Sequence, residues 1–128
     1  MQFTLLFSKP LSMYHRELNV WKESIELVKH VYRLIDSFPA FETYSLADQM
    51  RRSAISIPSN IAEGCGRGSN KDLYRFLDIA SGSLSELETQ VVLAKELGYI
   101  GDASLVESKI VDVQKLLVGF KKHIKELI

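Results

Sequence analysis

Apolar residues recur along this chain at steps of three and four. Leu18, Trp21, Ile25, Val28, Tyr32 and Ile35 form the first such stripe, and residues spaced this way stack on one face of a helix. Ser37-Phe38-Pro39 interrupts the pattern, which restarts after Ser45 with Leu46, Met50, Ala54, Ile57 and Ile61. Ser45 stands where a helix wants an N-cap, because its hydroxyl can accept from the free amides of the first turn. The third stripe, Leu73, Leu77, Ala80, Leu84, Leu87, Val91 and Ala94, follows Ser69, with Asp72 three residues on in the manner of a capping box. Gly98 then supplies a stop. Asp102 precedes the last stripe, which runs Val106, Ile110, Val113, Leu117, Phe120, Ile124 and Leu127. No segment alternates with period two for long enough to make a sheet. The pattern predicts an all-α, antiparallel up-down four-helix bundle, and steps averaging about 3.5 residues favour shallow, left-handed crossing.

Pro58 falls inside the second stripe. It removes a backbone donor and crowds the preceding turn, at a cost of about 3 kcal/mol in an ideal helix. A fresh helix start would make Ile57 the N-cap, a poor choice, whereas the apolar steps run straight through the site. One proline-kinked second helix is therefore expected rather than two helices. Asn60 and Glu63 lie on its polar flank and are expected to bond to backbone or arginine near the following turn. With Pro58 and Gly64 they make up a structural motif. Gly64 or Gly66 is expected to end the helix in a left-handed conformation, and Gly68 to ease the reversal into helix three.

A second apolar set flanks these stripes: Val20, Leu27, Val31 and Leu34 on helix one, and Phe76, Ile79 and Leu93 on helix three. Such a surplus widens the core or covers a subunit interface, and the interface is the favoured reading. A homo-oligomer is expected.

Composition narrows the function. A chain of 128 residues with 46% hydrophobic residues suits one domain. The single cysteine, Cys65, excludes an internal disulfide and points to a reducing, cytoplasmic compartment. The opening MQFTLLFSKPLS has no basic start and no cleavage site, so it does not read as a signal peptide. Residues 1–12 are expected to be a poorly ordered N-terminal appendage to a bundle over 13–128. Nothing approaches the roughly 18 apolar residues of a membrane span, so no membrane partner is expected.

The run Gly64-Cys65-Gly66-Arg67-Gly68-Ser69 raises the question of a phosphate-binding loop. It lacks the Gly-Lys-Ser/Thr ending of one nucleotide motif and the third-glycine spacing of the other, and a helix precedes it where both need a strand. His15, His30 and His123 are isolated, and no Glu-x-x-His pair occurs, so no metal site is expected. Cys65 has no adjacent histidine to make it a thiolate. No catalytic residues are assigned, no cofactor is implied, and a non-enzymatic protein is expected.

Charge does segregate, although sixteen basic and sixteen acidic residues cancel overall. Between Gln49 and Arg75, five cations (Arg51, Arg52, Arg67, Lys71 and Arg75) face only Glu63 and Asp72. From Phe76 to Gly98 the balance reverses, with Asp78, Glu86, Glu88 and Glu96 against Lys95. The five cations read either as phosphate contacts for RNA or DNA or as partners for acids of the bundle itself.

The segment from Phe38 to Ile100 resembles the bacterial four-helix-bundle proteins encoded by intervening sequences in large-subunit ribosomal RNA genes, and the resemblance spans nearly everything after Met13. The resemblance rests on Ser56-Ile57-Pro58-Ser59-Asn60-Ile61-Ala62-Glu63-Gly64, on Gln49 to Arg52 before it, and on Ala80 to Glu88. It implies an all-helical subunit assembled into a ring, with a pentamer favoured. It further implies kinship with the accessory variability proteins of diversity-generating retroelements, whose basic ring works with a reverse transcriptase and nucleic acid. On that basis Arg51, Arg52, Arg67, Lys71 and Arg75 are candidate nucleic-acid contacts. The expected function is a ring-forming scaffold for nucleic acid or for a nucleic-acid-processing protein. The alternative is a purely structural or protein-binding oligomer.

Overall fold

The computed structural model describes residues 14–128; the appendage expected over 1–12 lies outside the described residues. Four α-helices follow a short 3-10 turn at His15–Glu17: α1 (Asn19–Ile35), α2 (Leu46–Cys65), α3 (Asn70–Glu96) and α4 (Ser104–Glu126). Each of α1 and α3 packs against both α2 and α4, with the longest contact between α2 and α3. The short connections make sequential neighbours antiparallel. No strand occurs among the described residues.

The stripes of α2, α3 and α4 form the core as expected. Met50, Ala54, Ile57, Ile61, Leu73, Leu77, Leu87 and Val113 are fully enclosed. Helix α1 is turned from its expected orientation. Its buried face is Val20, Ser24, Leu27, Val31 and Ile35, whereas Leu18, Trp21 and Val28 lie at the margin and Tyr32 is 42% exposed. Ser24 explains the discrepancy. Its hydroxyl donates to the carbonyl of Trp21 at 2.7 Å, so a polar residue enters the core without an unmet hydrogen bond. Val20, Leu27 and Val31 are therefore core and not a spare interface stripe. On α3, Phe76 is also buried, while Ile79 and Leu93 remain exposed.

Helix α2 runs unbroken through Pro58, which is buried within it. Its start departs from the sequence expectation, because the Ser45 side chain makes no capping bond. The loop before it folds into a 3-10 turn at Ala40–Glu42, and Glu42 Oε1 accepts from the Leu46 amide at 3.2 Å. The other carboxylate oxygen of Glu42 accepts from the Tyr99 hydroxyl at 2.7 Å. These two bonds hold the Glu42 carboxyl below the usual carboxylate range, with the tyrosine the larger cause. Ser69 caps α3 as expected, its Oγ accepting from the Asp72 amide at 3.1 Å; at α4 the N-cap position is Ala103, and Asp102 just before it accepts from the Ser104 amide at 2.9 Å.

The glycines at the α2–α3 junction do a different job from the one expected. Among the described residues the only positive φ is at Gly98, 76°, where α3 stops. Gly66 is right-handed at φ −81°, and Gly64 is buried inside α2. A Cβ on Gly64 would lie 2.9 Å from Leu73 Cδ1 and 3.0 Å from Phe76 Cβ. Gly64 therefore permits close approach of α2 and α3, not reversal of the chain.

Two outcomes follow from this packing. Gly64→Ala should destabilise the fold by about 1 to 3 kcal/mol through overpacking, while Gly82→Ala, in open space on α3, should stabilise it by about 0.5 to 1 kcal/mol. Denaturant titration with a common m-value measures both. Tyr99→Phe should lower the melting temperature most at neutral pH. The folded-state carboxyl of Glu42 titrates below its unfolded value, so its contribution is present above the unfolded pKa and fades as pH falls through the folded one. Melts across the acid range should show the gap between parent and variant narrowing.

Candidate nucleic-acid interface

The cations singled out in the sequence lie at two places. Arg51 and Arg52 sit in the first turns of α2. Arg51 Nη2 donates to the Thr43 carbonyl at 2.9 Å and so braces the α1–α2 loop. Arg52 Nε pairs with Asp48 at 3.0 Å with its side chain 78% exposed. Arg67 lies just beyond the other end of the helix, about 20 Å away along the axis at 1.5 Å per residue. The five cations therefore do not share one surface.

Arg67, Lys71 and Arg75 do come together at the α2–α3 hairpin. The guanidinium of Arg67 lies 4.8 Å from the centroid of the Phe76 ring, and that of Arg75 lies 4.5 Å from it. The ring holds both heads by cation–π attraction. Each guanidinium also meets an acid on its own helical stretch, Arg67 with Glu63 at 3.0 Å and Arg75 with Asp72 at 3.7 Å. These pairs are solvent-exposed and contribute little to stability, so a phosphate can compete for the same donors. Lys71 is exposed, with no ion pair among the described residues. The hairpin thus offers two oriented forks and a free ammonium beside the start of α3, whose amide end favours anions.

Around Pro58 the polar side chains bond within the chain. Asn60 Nδ2 donates to the Ser56 carbonyl at 2.8 Å and to Ser56 Oγ at 2.9 Å. Ser56 Oγ in turn lies 2.7 Å from Ser83 Oγ on α3. A hydroxyl oxygen has two lone pairs, so Ser56 can accept from Asn60 and still donate to or accept from Ser83. Glu63 takes part only through Arg67. Cys65 is buried at the end of α2. Among the described residues, no group of three or more His, Cys, Asp and Glu side chains could hold a metal ion. Nor is any of the helices long and apolar enough to cross a membrane.

Residues 16–119 match the family model described as 23S rRNA-intervening sequence protein. The chain belongs to that family. No curated protein matches it. In this intervening-sequence protein the family match runs from the turn before α1 to near the end of α4, so it takes in the hairpin cations and the fully buried core except Ile124. It stops short of Lys121, Lys122 and Lys125. The sequence reading also passed over these three lysines, because they lie some fifty residues from the arginine-rich segment. Only the antiparallel return of α4 brings them to the same end of the bundle.

Asn60→Ala removes two hydrogen bonds from a partly buried network and should cost about 1 to 2 kcal/mol. Glu63→Ala breaks an exposed pair and should cost less than about 0.5 kcal/mol. Chemical denaturation of the two variants side by side separates these roles.

Proposed function

We propose that this intervening-sequence protein is a non-enzymatic, self-assembling bundle that serves as a scaffold for nucleic acid or for a protein that processes it. The observation that carries the reading is the pair of guanidiniums on Phe76 beside the unpaired Lys71. Surface cations held in place by a ring lose little freedom on meeting a phosphate, which favours contact with a polyanion. Assembly is supported by exposed apolar side chains: Ile79 and Leu93 elsewhere on α3, and Val92, Val111 and Val118 on the outer α3–α4 face. That face also carries two adjoining hollows of about 160 and 150 Å³ that share Glu88 and Ile110. Ring closure to a pentamer is part of the proposal, as is a cytoplasmic location.

One observation favours the purely structural alternative. Arg52, Arg67 and Arg75 each have an acid partner within the chain, so their charges are partly spent on the fold.

Light scattering behind size exclusion should give a mass near five subunits, and a monomer at micromolar concentration would remove the assembly. Fluorescence anisotropy with mixed-sequence RNA and DNA should show affinity falling linearly with salt on a log–log plot, by about 0.7 to 0.9 per phosphate contact. Assembly without any such binding would leave the structural alternative standing.

A further inference from the structure

Charge is sorted along the axis of the bundle. At the pole where α2 ends, α3 begins and α4 ends, Arg67, Lys71, Arg75, Lys121, Lys122 and Lys125 meet four carboxylates, Glu63, Asp72, Asp78 and Glu126, while the start of α1 nearby adds charges that cancel, Arg16 and Lys22 against Glu17 and Glu23. The acids are mostly engaged, with Glu63 on Arg67, Asp72 on Arg75 and Asp78 on Lys121 at 2.6 Å. Lys71 and Lys122 are exposed without an ion pair among the described residues, and so is Lys125. Toward the opposite pole the surplus is acidic. Asp36, Glu86, Glu88, Glu96 and Asp112 are exposed there without an ion pair among the described residues, against three cations likewise without one, Arg33, Arg51 and Lys115.

Two rings organise the basic pole. Phe76 carries Arg67 and Arg75, while Tyr74, two positions earlier on α3, carries Lys121 at 5.6 Å and Lys125 at 5.5 Å from its centroid. Phe76 thus gathers one cation from the connecting loop and one from its own helix, and Tyr74 gathers two from α4. Like charges held this close repel one another, and a ligand bearing repeated negative charge relieves that repulsion at several points together.

We propose that the bundle meets nucleic acid end-on at this pole, and that Lys122 and Lys125 of α4 contact the phosphate backbone together with Arg67, Lys71 and Arg75. The inference rests on the reading above that the protein contacts nucleic acid; it changes where and with which residues. Arg51 and Arg52 lie in the acidic half and stand outside the contact. The carboxylates of that half repel a polyanion and so orient the encounter. This is how a chain of zero net charge can present a cationic surface. In a closed ring, rotational symmetry turns the same pole of every subunit to the same side, which multiplies the effect.

The test compares three proteins by anisotropy on mixed-sequence single-stranded RNA and duplex DNA over a range of potassium chloride concentrations. They are the parent, the Lys71→Ala/Lys122→Ala/Lys125→Ala variant and the Arg51→Ala/Arg52→Ala variant. The three lysines carry no ion pair among the described residues, so the fold should survive, and circular dichroism checks it. The lysine variant should bind more weakly at low salt, with its log–log slope reduced by about 2 to 3, and the arginine variant should match the parent. A parental slope in the lysine variant, with the loss falling on the arginine variant instead, overturns the inference and leaves nucleic-acid contact intact. No binding by the parent to either nucleic acid overturns both. Binding to phosphatidylserine vesicles but to neither nucleic acid also overturns both, and assigns the pole to a lipid surface.

Discussion

The bundle depends on how closely α2 can approach α3, and Gly64 sets that distance. Any larger residue there would push against Leu73 and Phe76. Leu73 is fully enclosed in the core and Phe76 is nearly so. The same approach seats Phe76 at the hairpin, where its ring receives Arg67 from the connecting loop and Arg75 from its own helix. A missing side chain in the core and a pair of oriented cations on the surface are thus parts of one piece of packing.

Much of the fold was legible because α2, α3 and α4 each present a single unbroken stripe. Helix α1 has two candidate stripes one residue apart, and hydrophobicity alone selects the one with Trp21 and Tyr32. The other contains Ser24, which looks disqualifying until its hydroxyl is seen to bond back to Trp21. That is a local hydrogen bond that no count of apolar residues registers. The start of α2 has the same character. Ser45 has the right identity for a cap, but Glu42 on the preceding 3-10 turn reaches the Leu46 amide first.

The candidate interface was legible only where it is contiguous in sequence. Arg67, Lys71 and Arg75 lie close together along the chain and meet in space. Arg51 and Arg52 belong to the same basic segment, but a helix of twenty residues carries them to the far end. Lys122 and Lys125 are remote in sequence and return only through the up-down topology. Linear charge counting mixes the two ends of a helix, and a bundle separates them. The glycine run illustrates a second limit. Close packing and left-handed turns both call for glycine, and only the backbone angles of Gly64 and Gly66 tell which is at work.

The bond between Ser56 and Ser83 has a consequence for uniqueness. Apolar stripes with a regular repeat match nearly as well after one helix slides a turn past another, about 5.4 Å. The hydroxyls of Ser56 and Ser83 meet in only one alignment, and Asn60 holds the Ser56 side chain in place by donating to it. In the slid arrangement Ser56 would fall opposite Ile79 or Leu87, and this bond between α2 and α3 would be lost. The network thus selects one register among several that greasy contact alone would tolerate, and it adds little to the depth of the well.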